Sequence, residues 1–527
     1  MSRSMLPLLF TGLALLAQPL PEAARTLDAS VQALASRRGL AAEVAREAAL
    51  RRLGRVEEAD ALLGVLLGLH PTAPSVLEAQ VQALRRSHRL TEAQATVQRL
   101  KKLHPQIRWR PLEVALAMDT MDFGRARRLL EARLRRTPKD LDAREDLGEV
   151  AYWEDRMEEA AALLDQVLAQ DRNRSRAWRL RALVHRARQE NGAWASAARA
   201  AVAADPLDDE ARVVLADVLM RGEQKPVEGH AEARLALRLN PWNRSAHVAL
   251  GNGWSLRGAQ ASHTELTGEA HTGLTRALTE ASAALDRGDT PAAVAASEQA
   301  LTLDVRHPEA RVLLGAAHLA QGRVEPALAQ FGRALAADPD HGLAHYGMAL
   351  GLLRRRDAAN VQLRTAGARF AVADAPEPEG LRQVFPEYTS LDAELQKIIR
   401  LSVKPLARWL PLLQERQLTF HIFPFHRRLF EVPHHGELKG QRTFDGRIWD
   451  DVKGAGGAHA SAGAEWQRDV KHLRFNVLAH EFAHQVHGQL PDDLKQEITA
   501  LYAKGKAERR SLDFYSDANE MEYFAVG

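Results

Sequence analysis

A chain of 527 residues is too long for one ordinary hydrophobic core, so its length predicts two or more domains, or one domain joined to a repeat array. Apolar residues make up 46% and aromatic residues only 6%, which excludes global disorder and favours helices over sheet. The 71 basic and 68 acidic residues nearly cancel and give no indication of nucleic-acid binding. The absence of cysteine excludes disulfides and thiolate zinc sites, so any metal must be held by His, Asp or Glu.

The amino terminus predicts a secretory signal peptide over residues 1–24. Arg3 precedes a mostly apolar run from Met5 to Ala17, and small residues follow at Ala23 and Ala24. A membrane anchor is the alternative, but about a dozen apolar residues is short for a span, and no other stretch is long enough to cross a bilayer. We therefore expect a protein of the bacterial envelope, exported to the periplasm or outside the cell, with no transmembrane helix beyond the signal peptide.

The middle of the chain repeats with a period of 34 residues, a length that fits a unit of two antiparallel helices. A small alanine precedes a proline by twelve positions in four units: Ala59 and Pro71, Ala93 and Pro105, Ala126 and Pro138, Ala327 and Pro339. The alanine permits close helix contact, the proline ends the second helix, and units must stack to bury their apolar stripes. The pattern resembles tetratricopeptide repeat (TPR) proteins and predicts a helical segment at 25–45 followed by a TPR array at 46–250.

The repeat is interrupted once and then fades. Leu-Gly pairs mark the small-residue position of the first helix of a unit, at Gly148, Gly251 and Gly315. After Gly251 the sequence is rich in Gly, Ser and Thr, and we expect an irregular insertion at 251–284, with a degenerate repeat as the alternative. The prediction continues with further TPR units at 285–355 and a linker at 356–392. The groove of such an array is expected to bind a protein or peptide partner.

Histidines become denser after the linker, and short alternating stretches predict an α+β segment at 393–527. LTFHIFPF, residues 418–425, and RTFDGRIWDDV, residues 442–452, are the two candidate strands. KGAGGAHASAG, residues 453–463, lacks the Gly-Lys-Ser/Thr ending of a phosphate loop. A glycine-rich edge strand or loop close to a substrate backbone is the better interpretation.

Residues 474–488, RFNVLAHEFAHQVHG, predict a helix with metal chemistry on one face. His480 and His484 are four residues apart, so they project from the same side and can hold one zinc ion through their ring nitrogens. Glu481 lies about 100° round the helix, where its carboxylate can reach a zinc-bound water without ligating the ion. The spacing predicts a zinc site with Glu481 as general base.

A catalytic zinc ion needs a third protein ligand. His487 lies on nearly the same stripe, but about 10 Å along the helix axis from His480, so one straight helix cannot bring all three histidines to one ion. Downstream candidates are Glu497, in a predicted next helix, and Glu520 or Glu522. The last two lie on opposite faces of one helix start, so at most one reaches the zinc easily, and the spacing alone leaves that choice open.

The segment HEFAH followed by Y...NE.EYFA resembles the gluzincin zinc metallopeptidases, and is similar to the catalytic domain of anthrax lethal factor and of related bacterial domains. Residues 441–527 also look like a group of bacterial proteins that join TPRs to such a domain. The resemblance implies a Zn²⁺ cofactor held by His480, His484 and Glu522, with Glu481 as general base and Tyr515 as the residue that stabilises the transition-state oxyanion.

Sequences of this kind usually read EYFAEG, whereas here Val526 replaces the second acid and the sequence stops at Gly527, so a truncated domain is expected. The predicted fold is mostly α, a TPR-type α-solenoid followed by a smaller α+β zincin-like domain. The expected function is an exported zinc endopeptidase whose repeats recruit protein substrate. The alternatives are a TPR scaffold with an inactive peptidase-like domain and a zinc hydrolase acting on an envelope polymer.

Overall fold

The structure is a computed structural model that describes residues 21–107, 110–251, 266–358, 374–443, 446–465, 467, 476–508 and 516–527. These residues are mostly helical and fall into two compact units. The first unit comprises Met1–Leu250 and Gly351–Val361, and the second comprises Gly251–Leu350 and Gln362–Gly527. The second repeat segment therefore belongs to the same unit as the carboxy-terminal domain.

Paired helices form the first unit, with 13-residue and 14-residue helices alternating over much of it. A π-helical turn, Val218–Gly222, follows the twelfth helix. The helices are α1 (Glu22–Ala35), α2 (Leu40–Arg52), α3 (Val56–Leu69), α4 (Pro74–Arg86), α5 (Leu90–Leu103), α6 (Arg110–Asp119), α7 (Phe123–Arg136), α8 (Leu141–Trp153), α9 (Met157–Gln170), α10 (Ser175–Ala187), α11 (Asn191–Ala204), α12 (Asp209–Asp217), α13 (Pro226–Leu239) and α14 (Arg244–Gly251).

The turn between the two helices of a repeat has the same backbone geometry in seven of the repeats. One residue with positive φ recurs at intervals close to the repeat length, at Gly54, His88, Met121, Asp155, Gln189, Gly288 and Gly322. The next amide donates to a carbonyl five positions earlier, as in Arg55 N to Leu50 O at 3.0 Å. This is the hydrogen bond of a Schellman motif, which ends a helix without orphaned carbonyls. The period read from alanine and proline is therefore also a period of backbone conformation.

The small residues of the repeats lie where the helices touch. The four predicted alanines are fully buried, namely Ala59, Ala93, Ala126 and Ala327. A Cβ added to Gly148 would lie 3.0 Å from the Leu164 side chain, and one added to Gly315 would lie 2.5 Å from the Phe331 ring. Both glycines therefore permit a close approach that a larger residue would prevent. The predicted TPR packing is confirmed at these positions.

The second repeat segment begins earlier than the sequence indicates. Residues 252–265 lie outside the described residues, but a helix starts at Gly268, inside the range expected to be irregular. Leu274, Ala277, Ala281 and Ala284 form its buried stripe, and this helical spacing outweighs the local Gly and Thr content. The helices are α15 (Gly268–Asp286), α16 (Thr290–Leu303), α17 (Pro308–Ala320), α18 (Val324–Ala337) and α19 (Gly342–Asp357).

A small mixed sheet forms the centre of the carboxy-terminal domain. Its strands are β1 (Phe420–Phe423), β2 (Gly454–Ala455) and β3 (Ala460–Gly463), in the order β1-β3-β2. β1 is parallel to β3, with Phe420 opposite Ala460, and β2 is antiparallel to β3, with Gly454 opposite Ala462. The helices around it are α20 (Leu381–Val384), α21 (Ala393–Val403), α22 (Leu410–Glu415), α23 (Val477–Gln489), α24 (Asp492–Ala507) and α25 (Glu520–Val526).

The expected linker at 356–392 is too long at both ends. Helix α19 continues to Asp357. At the other end, Leu381, Val384, Phe385 and Tyr388 are buried in the domain core. The ring of Phe385 stacks on that of Phe420 in β1, with 4.9 Å between the centroids. The domain therefore begins before residue 393, because the apolar residues after Gly380 cover the sheet.

The strand predictions are correct in part. LTFHIFPF contains β1, and the glycine-rich segment contains β2 at one edge of the sheet formed by the described residues. The second candidate strand, 442–452, is instead an isolated bridge between Arg442 and Ile448 followed by a 3-10 turn, Trp449–Asp451. Residues 444 and 445 within it lie outside the described residues.

The predicted signal peptide lies almost wholly outside the described residues, which begin at residue 21. Helix α1 starts at Glu22, within the last residues assigned to that peptide. From residue 21 onward, no described helix has both the length and the apolar character needed to cross a membrane.

Candidate metal centre

Helix α23 carries the His-Glu-x-x-His segment, and its orientation is set by its apolar residues. Leu478, Phe482 and Val486 recur every fourth position and are fully buried in the domain core. The side chain of Asn476 caps the helix by accepting a hydrogen bond from the Ala479 amide at 3.0 Å. With one face fixed against the sheet, His480 and His484 are directed away from that core.

Helix α25 brings the distant acid to this face. Asn519 caps α25 by accepting from the Glu522 amide at 2.9 Å, which fixes the start of the helix. The Phe524 ring packs against the His487 ring, with 5.4 Å between the centroids, and also against the core. These contacts hold α25 against α23 and direct Glu522 toward the two histidines.

Three ligand atoms converge between the helices. The Nε2 atoms of His480 and His484 are 3.1 Å apart. The Oε2 atom of Glu522 lies 3.3 Å from the first and 3.4 Å from the second. Within the described residues these three side chains form the one group whose donor atoms lie close enough together to hold a metal ion.

The donor set fits zinc in both chemistry and spacing. Two imidazole nitrogens and one carboxylate oxygen are a common ligand set of a catalytic zinc site. In a tetrahedral site with metal–ligand distances of about 2.0–2.1 Å, ligand atoms lie about 3.3–3.4 Å apart. The observed separations of 3.1, 3.3 and 3.4 Å are close to that value. The residues present therefore fit a zinc ion without side-chain rearrangement.

The electrostatics of the cluster favour an ionised acid. Burial alone would raise the pKa of Glu522, but hydrogen bonds and charge interactions with the two histidines outweigh it and lower the pKa to about 2. Burial acts to lower the pKa of His480, and the contact with Glu522 reverses this and raises it. Burial raises the pKa of Glu481, although both histidines oppose the shift. A more basic carboxylate is a better proton acceptor.

The edge strand β2 lies directly on the face of α23 that carries Glu481 and His484. A Cβ added to Gly454 would lie 2.7 Å from Glu481 Oε1, and one added to Gly456 would lie 2.6 Å from the Cβ of His484. Real Cβ atoms do not make such contacts, so only glycine allows the backbone this close. The glycine-rich segment thus places main chain beside the carboxylate of Glu481.

The remaining candidate residues are placed as follows. His487 is buried in the last turn of α23 and its ring contacts Phe524, so it lies beside the cluster and is not a member of it. Glu497 is exposed on α24, and Glu520 begins α25 without joining the cluster. Tyr515 lies outside the described residues.

Two buried polar residues near the centre were missed by sequence reasoning. Gln485 donates from Nε2 to the carbonyls of Thr419 at 2.9 Å and Ala458 at 2.8 Å, which ties α23 to the segments that lead into β1 and β3. Lys453 is 2% exposed and precedes β2. In the sequence, Gln485 stands out only as a polar residue in an apolar helix, and Lys453 only as a charge before a glycine-rich segment. Neither pattern indicates which groups these side chains contact.

Comparison with known proteins identifies the repeats. Two stretches match family models described as tetratricopeptide repeat, at residues 117–184 and 278–342. No curated protein matches the chain. The chain therefore contains TPRs, and the family matches lie in both repeat segments.

Similar solved structures include other repeat proteins. One is the APC/C hetero-tetramer Cut9–Hcn1, at 13% identity and a TM-score of 0.38, over 62% of this chain and 67% of that one. Another is YrrB, a TPR protein with an unusual peptide-binding site, at 17% identity and a TM-score of 0.21, over 41% and 96%. A third is a thermophilic TPR protein of Thermus thermophilus, at 22% identity and a TM-score of 0.19, over 40% and 99%.

Proposed function

We propose that this protein is a zinc-dependent peptidase of the bacterial envelope whose TPRs bind a protein substrate or partner. The observation that carries the proposal is the convergence of His480, His484 and Glu522 at separations of 3.1–3.4 Å. Glu481, on the same helix as the two histidines, supplies an additional carboxylate beside that cluster. Neither histidine-rich composition nor helix packing alone requires this arrangement.

The chemistry follows from the residues present. His480, His484 and Glu522 would hold a zinc ion, which would supply Lewis-acid chemistry toward water and a substrate carbonyl. Glu481 accepts the proton of the attacking water and returns it to the leaving amine. By resemblance, Tyr515 donates a hydrogen bond to the oxyanion. A peptide adds as a strand to β2, which is the last strand of the described sheet on that side.

The test begins with metal content. Purified protein is expected to bind one zinc per chain and to cleave peptides from a broad library. Glu481→Gln should retain the metal while the cleavage rate falls by at least about 100-fold, because general-base catalysis is lost. The matched control is Glu497→Gln, since Glu497 is exposed on α24 and outside the cluster. Equal cleavage by the Glu481 variant would rule out the mechanism.

A scaffold is the second candidate, favoured by the two TPR family matches. In that case the repeats bind a partner and the terminal domain does not cleave it. Zinc binding without cleavage of any library peptide, together with a stoichiometric complex formed through residues 46–250, would favour the scaffold. Export is tested separately by fractionation of cells that express the full chain, with a variant lacking residues 1–24 as the control.

A further inference from the structure

Lys453 is a buried cation that the proposed reaction does not use. It is 2% exposed, and its Nζ donates to the carbonyl oxygens of Phe425 at 3.1 Å and Arg427 at 2.7 Å. The same ammonium lies over the rings of Tyr346 at 5.6 Å and Phe423 at 5.4 Å. Burial lowers the pKa of Lys453 to about 8. A desolvated ammonium is costly, and these partners offset that cost only while they stay in place.

Residues 451–453 have partners in the repeat helices as well as in the carboxy-terminal domain. Tyr346 belongs to α19, the helix that follows the last repeat pair, and it is 1% exposed. Two positions before Lys453, the buried Asp451 accepts from Arg428 at 2.6 Å. Arg428 also reaches Glu309 of α17 at 3.1 Å. Residues 451–453 are thus held by contacts that lead to two repeat helices.

Directly after Lys453 the main chain passes Glu481, the candidate general base. Gly454 follows Lys453, and its Cα lies against the Glu481 carboxylate so closely that an added Cβ would be 2.7 Å from Oε1. The Lys453 carbonyl accepts a hydrogen bond from the Gly463 amide of β3 at 2.8 Å. A displacement of Lys453 therefore moves the main chain that bounds the Glu481 side chain.

We propose that Lys453 is a positioning residue that fixes strand β2 to the terminal repeat helices and thereby sets the position of the Glu481 carboxylate. The expected effect of Lys453 on the reaction rate rests on the proposed peptidase function, whereas its expected effect on the position of β2 does not. In this proposal the repeat helices α17 and α19 help to position Glu481, in addition to any role of the repeats in binding substrate. Displacement by about 1 Å is enough to cost about 100-fold in rate where geometry is tight.

The test compares Lys453→Met with Lys439→Met, a control whose side chain is exposed in the same domain. In the full chain, Lys453→Met should keep one zinc and lower kcat at least about tenfold. KM can rise beside it, because β2 is also the strand to which the substrate peptide is proposed to add. Hydrogen exchange of the Gly463 amide should become faster in this variant and stay unchanged in the control. Tyr346→Leu, which removes one ring from the ammonium, should reproduce both effects and carries the test if the first variant does not fold.

The outcomes separate the two proposals. If the wild type cleaves nothing, the peptidase proposal fails, and the Gly463 exchange still decides whether Lys453 holds β2. Unchanged exchange and unchanged kcat in both variants would overturn the positioning role. A rise in KM at constant kcat would also overturn it, because β2 would then act on substrate binding and not on Glu481.

Discussion

The Oε2 atom of Glu522 lies 3.3 Å from the Nε2 atom of His480, and the two residues come from different helices, α25 and α23. Glu520, two positions earlier on α25, does not join the cluster. This relationship distinguishes the two acids that the sequence left as alternatives, and it leads to the first prediction.

Replacing Glu522 by Ala should remove a metal ligand and reduce zinc affinity by at least about 100-fold. Glu520→Ala is the matched control, with one zinc retained per chain. Zinc content after dialysis against a chelator of known affinity measures both. Retention of zinc by Glu522→Ala and its loss from Glu520→Ala would reverse the assignment.

Gly454→Ala should impair catalysis without loss of metal. The new methyl group would meet Glu481 Oε1 at 2.7 Å, so either the carboxylate or β2 must shift, and we expect kcat to fall at least about tenfold. Gly436→Ala is the control, because nothing lies within 4 Å of a Cβ there. Steady-state kinetics and zinc content would be measured together, and a fully active Gly454→Ala would contradict the close approach.

Ala93→Leu should destabilise the first repeat array. Ala93 is fully buried between helices, and overpacking of this kind costs about 1–3 kcal/mol. The control is Ala95→Leu on the same helix, where the side chain is exposed and the free energy of unfolding should hardly change. Urea denaturation followed by circular dichroism compares them. Equal urea midpoints for the two variants would show that the 34-residue period does not mark positions of helix contact.

Glu309→Gln should weaken the unit that contains the candidate metal centre. Arg428 and His341 lie 3.1 Å and 3.0 Å from Glu309, and together they hold the pKa of this acid well below its usual range despite partial burial. Glu309 is partly exposed while Arg428 and His341 are buried, so we expect its loss to cost about 1–3 kcal/mol, less than for a fully buried pair. Thermal unfolding of Glu309→Gln is compared with that of Glu298→Gln, an exposed acid of α16. Identical transitions would mean that these ion pairs contribute nothing to stability.

Stability of the first unit should fall on acidification because of His247. Burial lowers its pKa to about 4, while a carbonyl contact from Pro241 opposes the shift. Below pH about 6.5 the unfolded chain binds the proton more readily than the folded chain, so stability is lost between pH about 6.5 and about 4, by up to about 3 kcal/mol. Unfolding midpoints at pH 7 and 5 should differ less in His247→Asn than in the wild type. An equal change in the unfolding midpoint in both proteins would exclude His247 as the cause of the acid sensitivity.

Much of the repeat fold is predictable from the sequence because its contacts are local. A buried alanine such as Ala93 and a turn proline such as Pro105 recur at a fixed interval, and each repeat packs mainly on its neighbours. The predicted insertion is wrong at α15, where Gly and Thr content masks a stripe of small buried residues. The predicted linker is wrong at 381–388, where apolar residues are part of the domain core.

The sequence by itself determined the pairing of His480 with His484 and the adjacent place of Glu481, because these depend only on helical spacing. It reached Glu522 and Tyr515 by resemblance, and Tyr515 stays a prediction. Helical spacing left Glu520 and Glu522 as alternatives, and the tertiary structure shows Glu522 beside the histidines. Tertiary structure alone decided that Gly454 borders Glu481 and that Lys453 joins β2 to Tyr346. These contacts join residues far apart in the chain, and their formation depends on how α23, α25 and the sheet bury their apolar faces together, which no local pattern encodes.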